Sequence, residues 1–380
     1  MNIAQTAPET VRTSVSCLSI IPFLDWAACK CSLFFFPRSP FAIRLLLLLP
    51  AFLAGCSPLA ASTIPVLCYH QVIPKPTGQF QISSADFRDQ IARMKALGFT
   101  TINSKTFLKA VQNREEFVRK VALITFDDGF RGVYDYAFPI MKEFGFVGVV
   151  CVYPRFIDSP GGLSWAMIRE MIDGGWSVEC HSLSHADLWK TPSDPGEKKA
   201  FLQREIAEAR KIIREKTREP VDFMVWPYGI YTEETEKIAV EAGYSGAFTV
   251  DGGGNSHSID PFRVKRQVVY RTDSPEKFVI RLEMGYLEVG AASPRPGEVL
   301  SRLTTMKCTL PTLVDYSPQN YVLNAKVTGG TIDFAFDPAT RQLTGNVHGN
   351  LRRGQHFIDI YVRDLRTGTT SQCGWLFTID

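Results

Sequence analysis

The sequence predicts an α/β protein, built as a distorted (β/α) barrel and followed by a small antiparallel β module. Between residues 64 and 269, short β-branched apolar runs alternate with longer segments of helical periodicity, which is typical of a mainly parallel sheet covered by helices. Residues with catalytic chemistry directly follow several of these runs. Beyond residue 294, shorter segments alternate apolar and polar residues between turns, as antiparallel strands do.

The elements of the barrel are predicted from periodicity and helix-stop signals. Six strands are predicted: Ile64–Tyr69, Val121–Phe126, Val147–Val152, Trp176–Cys180, Val221–Trp226 and Gly246–Val250. Three helices are predicted between them: Ser84–Leu97, Glu205–Lys216 and Glu233–Ala242. In the C-terminal module, Thr331–Phe336 and His356–Val362 are predicted strands, and His348 and His356 are expected at the surface.

Composition limits the class of protein. The chain has 380 residues, of which 45% are hydrophobic and 21% charged, so it is long enough for one large globular domain and a smaller one. The net charge of +3 is spread along the chain without a run of basic residues. We therefore expect no nucleic-acid partner.

A leader is predicted at the N-terminus. Arg44 precedes the apolar run Leu45–Leu53, which closes on Leu-Ala-Gly-Cys56. The run is shorter than the roughly 20 residues of a membrane span, so a signal peptide with a lipobox is favoured over a transmembrane helix. Cleavage before Cys56 would leave its thiol for a lipid, and Ser57 in place of aspartate implies the periplasmic face of the outer membrane.

Three segments follow from this pattern: a leader over 1–55, a catalytic domain over 56–293 and a β-rich accessory domain over 294–380. The first 40 residues fit either a start codon assigned too early or a long leader. Among the later cysteines, three lie in apolar runs and are expected to be buried thiols. Cys308 and Cys373 bracket the accessory domain, and an oxidising compartment would allow a bond between them without establishing its geometry.

Candidate site residues stand directly after predicted strands. In a (β/α) barrel these positions meet at the C-terminal face, where active sites are built. They are His70, Asp127, Asp128, His181, Tyr228 and Asp251.

Two adjacent carboxylates follow the second strand, in Thr-Phe-Asp127-Asp128-Gly. Their repulsion is costly unless a cation neutralises one, which leaves the other free to act as a base. An ordinary Asp-Asp-Gly turn is the alternative interpretation.

Two histidines four residues apart follow the fourth strand, in His181-Ser-Leu-Ser-His185. On one side of a helical turn they could bind one metal ion, although capping contacts would also explain them. With Asp128 they form a two-histidine, one-carboxylate set with open coordination positions. Zinc suits this set best, and iron, cobalt or nickel would also fit.

These two motifs resemble the polysaccharide deacetylase family, the NodB-homology domain of carbohydrate esterase family 4. The resemblance covers about residues 64–269 and implies a barrel of the NodB type. It also implies metal-dependent hydrolysis of acetamido groups on a polysaccharide. By position, Asp127 would be the general base, and Asp128, His181 and His185 the metal ligands.

The third family motif departs from the usual pattern, because Val225 stands where the family has an arginine, in Val-Trp226-Pro-Tyr228-Gly. This variant, with Tyr-His70 on an early strand, is similar to the PgaB/IcaB branch, the poly-β-1,6-N-acetylglucosamine deacetylases of biofilm matrix systems. The branch implies His70 as catalytic acid and the Tyr228 N–H as oxyanion donor. Trp226 would wall the acetyl pocket or belong to the core.

Three further residues could orient Asp127 in place of the missing arginine. They are Asp251, Arg263 and Arg266. A surface role for Arg263 is the alternative.

Competing functions share part of this evidence. A deacetylase of peptidoglycan, chitin or acetylated xylan would carry the same motifs, and a non-catalytic polysaccharide-binding lipoprotein would keep the barrel alone. A glycoside hydrolase needs two carboxylates roughly 5 to 10 Å apart across the bond, which neighbouring aspartates do not supply. The expected partners are the polymer, the membrane through the lipid, and exopolysaccharide export machinery.

Overall fold

The computed structural model of the chain describes residues 63–312 and 316–380. The predicted leader, its lipobox and Cys56 lie outside these residues. Within the described ranges, the helices are all too short or too polar to cross a bilayer.

A parallel sheet forms the barrel, as the sequence predicts. Its strands follow the order β10-β1-β5-β6-β7-β8-β9, with β4 added to β5, and every pairing is parallel. Between the two ends of this path, a parallel bridge joins Phe248, at the end of β9, to Val264, three residues before β10. A separate parallel pair is formed by β2 and β3. The strands are β1 (Val66–Tyr69), β2 (Gln71–Ile73), β3 (Gln81–Ser83), β4 (Thr100–Thr101), β5 (Val121–Phe126), β6 (Val149–Val152), β7 (Ser177–Cys180), β8 (Phe223–Val225), β9 (Gly246–Phe248) and β10 (Gln267–Val268).

Helices cover the outside of the sheet. They are α1 (Ser84–Ala96), α2 (Ser104–Asn113), α3 (Phe138–Glu143), α4 (Trp165–Asp173), α5 (Pro195–Gln203), α6 (Ala209–Thr217), α7 (Glu233–Glu241) and α8 (Pro275–Leu282). The first shows why these segments fold locally. The Ser83 hydroxyl accepts from the Asp86 N–H as a cap, and Phe87, Ile91 and Met94 are all buried.

Burial on both faces explains the apolar strands. All six residues of β5 are buried, because helices cover one face and the barrel interior the other. The predicted bounds of this strand are confirmed, while β8 is shorter than predicted because the chain turns at Pro227. The predicted helix Glu205–Lys216 divides into a π-helical turn, Arg204–Glu208, and α6.

The C-terminal region forms two mostly antiparallel sheets, with strand orders β11-β19-β18-β15 (β13 also pairs with β19) and β12-β14-β17-β16. Side chains of Phe357 and Leu376 from this region pack into the main core of the barrel. The region is therefore fixed to the barrel through apolar contacts. Its strands are β11 (Gly285–Tyr286), β12 (Gly290–Ser293), β13 (Val299–Leu300), β14 (Thr305–Thr309), β15 (Tyr321–Val327), β16 (Thr331–Asp337), β17 (Gln342–His348), β18 (Gly354–Asp364) and β19 (Thr370–Ile379).

The histidines and cysteines of this region can be compared with their predicted positions. His348 is half exposed, but the surface expectation is wrong for His356, which is 7% exposed with its ring nitrogens 2.8 and 2.7 Å from the carbonyls of Thr328 and Arg352. Both ring nitrogens lie against backbone carbonyls inside the fold, so neither is left for a ligand. Cys308 and Cys373 are buried free thiols in the structure.

Candidate active site

The end of β5 places two carboxylates at the mouth of the barrel. The Asp127 N–H donates to Tyr69 O at 2.9 Å, which continues the pairing with β1. Asp128 then turns the chain with a φ of 72°, and Gly129 follows at 79°. A Cβ on Gly129 would lie 3.1 Å from Ile157 and 3.2 Å from Val152, so both its conformation and its surroundings favour glycine.

Arg266 holds Asp127 through a two-pronged ion pair. Its Nη1 lies 2.7 Å from Oδ1 and its Nη2 lies 2.8 Å from Oδ2, while its Nε donates to Thr249 O at 2.9 Å. The Cys68 thiol also lies 3.4 Å from Oδ2. Burial raises the pKa of Asp127, but the Arg266 guanidinium and His181 outweigh it and hold the pKa below its usual range. Asp127 is therefore an ionised buried carboxylate.

His181 and His185 converge through a loop, and the expected helical turn is wrong. Ser182 and His185 have left-handed backbone conformations, with φ of 65° and 59°. The loop is fixed by Glu205, which accepts from the Ser184 N–H at 3.0 Å and from its hydroxyl at 2.9 Å. A buried carboxylate from a distant helical turn thus sets the geometry that helical spacing was expected to give.

The two histidines and Asp128 form one cluster. Nε2 of His181 lies 3.5 Å from Asp128 Oδ1 and Nε2 of His185 lies 3.2 Å from the same atom. The three ligand atoms all lie within 4.8 Å of one another. Burial lowers the pKa of His181, but Asp127 and Asp128 more than offset it and raise the pKa above its usual value.

The hydrogen bonding of this cluster fits a metal ion. His181 Nδ1 lies 2.8 Å from Val225 O, and because a carbonyl only accepts, Nδ1 carries the proton. Nε2 then faces Asp128, whose Oδ1 is buried without a hydrogen-bond partner. In the neutral ring Nε2 offers a lone pair there, which a bound cation would join to Oδ1, and a backbone carbonyl behind a ligating histidine is a common second contact of such sites.

His70 lies beside this cluster. One of its ring nitrogens is within 4.8 Å of an Asp127 oxygen and of the Cys68 sulfur. Its Nδ1 is buried without a partner, and its ring stacks on Phe80 at 4.7 Å between centroids. Burial lowers the pKa of His70 against the opposing effect of Asp127 and Asp128. A protonated His70 would thus release its proton readily.

Tyr228 and Trp226 follow β8, and Tyr228 lies beside the histidine cluster. Tyr228 has a φ of 59°, its side chain is 60% exposed, and its ring centroid lies 4.6 Å from that of His185. Trp226 is fully buried, and its Nε1 has no hydrogen-bond partner. Together with Asp128, Ser182 and His185, Tyr228 belongs to a group of strained left-handed residues at the mouth, which is where such strain is often concentrated.

Of the three residues expected to orient Asp127, the structure brings only Arg266 to it. Asp251 accepts from the Tyr231 hydroxyl at 2.8 Å, and Arg263 pairs with Glu236. Burial raises the pKa of Asp251 to about 6, against the lowering effect of Lys265, Tyr231 and Arg263. Asp251 and Arg263 are therefore wrong as direct contacts of the base.

Cys68 and Glu205 also contribute to the site, and neither role was predicted from the sequence. Cys68 had appeared only as a buried thiol of an apolar strand. Alternation along that strand places its side chain on the face opposite those of Leu67 and Tyr69, which was the available signal. Glu205 offered no signal, because its contact with Ser184 joins residues 21 positions apart.

Comparison with known proteins finds similarity to polysaccharide deacetylases. Residues 114–247 match the family model of polysaccharide deacetylases. A putative polysaccharide deacetylase of Bacillus subtilis, YxkH, is 25% identical over 204 residues, which are 53% of this chain and 70% of that protein. A poly-β-1,6-N-acetyl-D-glucosamine N-deacetylase of Staphylococcus epidermidis is 24% identical over 208 residues, with 51% and 70% covered.

A solved structure shares the fold. IcaB from Ammonifex degensii superposes with a TM-score of 0.51 at 26% identity, covering 57% of this chain and 94% of that one. The NodB-type barrel predicted from the motifs is thus confirmed.

Proposed function

We propose that this chain, of which residues 114–247 match polysaccharide deacetylases, removes acetyl groups from poly-β-1,6-N-acetyl-D-glucosamine with the help of a bound metal ion. The observation that carries the proposal is the convergence of Asp128, His181 and His185 beside Asp127, which is ionised. An amide is a weak electrophile, so its hydrolysis needs an activated water and a polarised carbonyl. The cluster is suited to both tasks.

Asp128, His181 and His185 would hold the ion, and zinc is our first choice, with iron, cobalt and nickel as alternatives. A divalent ion in such a site supplies Lewis acidity and lowers the pKa of water. Asp127 would accept the proton of the attacking water, since Arg266 holds its carboxylate ionised and aimed at the mouth.

The remaining residues would handle the amide. The Tyr228 N–H would donate to the carbonyl oxygen as negative charge develops there. His70 would protonate the departing amine, since it lies next to Asp127 and its lowered pKa favours proton release. Trp226 is fully buried in the core and would support the wall of the acetyl pocket from behind. Acetate and a glucosamine amine result.

The cleft beside the site favours a neutral sugar. A cavity of about 360 Å³ contains His70 and Asp128 and is otherwise lined by uncharged groups. Among them are Gln71, Gln81 and Phe80, and the Gln81 amide donates to the Gln71 oxygen at 2.8 Å. Amides hydrogen-bond to hydroxyls, and aromatic rings pack on sugar faces. The absence of a cation from this lining favours a neutral glycan over carboxylate-bearing peptidoglycan.

The name of one relative and a motif of this chain point to the same polymer. The Staphylococcus epidermidis relative is named a poly-β-1,6-N-acetyl-D-glucosamine N-deacetylase. The missing motif arginine also sets this chain with the PgaB/IcaB branch, and Arg266 takes its place on Asp127.

We also propose that the chain is exported and lipid-anchored at Cys56, on the periplasmic face of the outer membrane, where it would meet exopolysaccharide export machinery. The lipobox supports this. Growth with labelled palmitate should label the wild type and leave Cys56→Ala unlabelled. Equal labelling of both would refute the anchor.

Acetate release tests the enzymatic proposal. Purified protein is incubated with poly-N-acetylglucosamine, chitin oligomers, peptidoglycan and acetylated xylan, each with and without chelator. We expect chelator-sensitive release that is fastest from the β-1,6 polymer. Faster release from another polymer would refute the substrate, and no release from any, with metal bound, would favour a binding protein.

A further inference from the structure

A lysine and a cysteine from distant parts of the chain meet where β19 packs against the barrel. Lys265 Nζ lies 2.8 Å from Cys373 Sγ and 2.9 Å from Gly374 O. Lys265 is 7% exposed and Cys373 is 8% exposed. The pair is therefore an internal contact between the barrel and the C-terminal sheets.

The Nζ–Sγ distance is short for a hydrogen bond. An N–H···O bond is ordinarily about 2.9 to 3.0 Å long, and sulfur is larger than oxygen, so an N–H···S bond should be longer. At 2.8 Å the two atoms are close enough to share one bridging oxygen atom. An ordinary contact with a thiol gives no reason for such closeness.

The backbone on both sides is fixed. The Lys265 N–H donates to Asn255 Oδ1 at 2.8 Å, and the Asn255 amide donates back to Lys265 O at 2.9 Å. Across the contact, Gly374 N–H donates to Gly252 O at 2.7 Å. Because both chains are anchored beside the pair, the side chains are held together without needing to search for each other.

A small oxidant can reach the pair. Lys265 and Cys373 both line a cavity of about 250 Å³, which also contains Asp251 and Trp375. Dioxygen is smaller than this space.

We propose that Lys265 and Cys373 form a redox-controlled cross-link in which one oxygen atom joins Nζ to Sγ. The oxidant is dioxygen. The S–H bond, one N–H bond and the O–O bond break, N–O and O–S bonds form, and the second oxygen atom leaves as water with the two released hydrogens. Nitrogen and sulfur together lose four electrons, which reduce one dioxygen molecule. Two molecules of a dithiol reductant return four electrons and regenerate amine, thiol and water.

The cross-link would tie the barrel covalently to β19, across a contact otherwise made of packing and hydrogen bonds. It would restrict the unfolded chain and thereby stabilise the fold under oxidising conditions, as other covalent links do. This inference is independent of the proposed substrate.

Mass spectrometry of the whole protein tests it directly. Protein exposed to air is denatured, alkylated without reductant and digested with trypsin. We expect a linked peptide pair containing Lys265 and Cys373, uncleaved after Lys265, with the summed mass plus one oxygen and minus two hydrogens. Dithiothreitol should abolish the pair. Lys265→Arg and Cys373→Ser should lack it, while the matched control Cys308→Ser should keep it.

Three results would overturn the proposal. They are complete alkylation of Cys373 after exposure to dioxygen, a linked pair without the added oxygen, and a disulfide between Cys373 and Cys308. Thermal unfolding provides a second readout. Reductant should lower the midpoint by a few degrees in the wild type and in Cys308→Ser, with no change in Lys265→Arg. A reductant effect of the same size in Lys265→Arg would also refute the cross-link.

Discussion

The regions beyond β5 and beyond β9 each bury an aspartate at the mouth of the same sheet, but only one of the two is paired with an arginine. Asp127 receives two guanidinium nitrogens of Arg266, and its pKa is held below its usual range despite burial. Asp251 receives one hydroxyl, from Tyr231, its Oδ1 has no hydrogen-bond partner, and its pKa rises to about 6. Position at a strand end therefore brings a carboxylate to the mouth, whereas a buried cation decides whether its pKa falls or rises on burial.

The largest effect should come from substituting a residue of the metal cluster, because hydrolysis at the mouth would then lose its ion. His181→Ala or Asp128→Ala should abolish metal binding and lower acetate release by at least about a thousandfold, since the ion's contribution is several kcal/mol. Metal content by mass spectrometry and acetate release are measured together. His348→Ala, at an exposed histidine far from the mouth in sequence, serves as the control. Retained metal with full activity in His181→Ala would contradict the site.

The two aspartates themselves should respond differently to the same substitution. Asp127→Asn should keep the metal and lose about 10² to 10⁴ in turnover, because an amide cannot accept the proton. Asp251→Asn should stay within a few-fold of the wild type. Equal losses in the two variants would remove the distinction between the regions.

The arginines of the two regions provide a smaller, matched test. Arg266→Lys keeps the charge but loses the two-pronged geometry, and we expect turnover to fall by about 10 to 100-fold with metal content unchanged. Arg263→Lys alters the pair with Glu236 and should leave turnover nearly intact. If both variants lost turnover to the same degree, a general structural role would replace base positioning.

The smallest expected effect is on the pH dependence of the free energy of unfolding. Because the pKa of Asp251 is raised from 3.8 to about 6 in the fold, the folded state keeps a proton that the unfolded state has lost between these values. The contribution of Asp251 to stability is therefore greatest below pH 3.8 and is lost as pH rises to about 6, by up to about 1.4 kcal/mol per pH unit. Denaturant unfolding of Asp251→Asn should lack this slope. Parallel stability curves for the two proteins would contradict it.

The parts of this molecule that depend on local pattern were predicted from the sequence. The strand Val121–Phe126 was placed with its observed bounds, because a run buried on both faces is apolar throughout. The helix at Ser84 was found from its apolar spacing and from the helix-stop signal at Gly98. The grouping of Asp128 with the two histidines followed from their position after strands and from the family motifs.

The predictions that failed concern features set by contacts between distant residues. The loop from His181 to His185 is held by Glu205 and not by helical geometry. The choice of Arg266 over Arg263 depends on a pairing across 139 positions, which no spacing rule contains. His356 is buried with its ring nitrogens against two backbone carbonyls, and those partners become visible only in the fold.

Two groups of side chains at the mouth could hold an ion, and anomalous diffraction from crystals of the metal-loaded protein would show which of them does. We expect one strong peak bonded to Asp128 and to Nε2 of both His181 and His185, with Asp127 bound to Arg266 beside it. A peak at the neighbouring group of Cys68, His70 and Asp127, with none at the histidine pair, would contradict it.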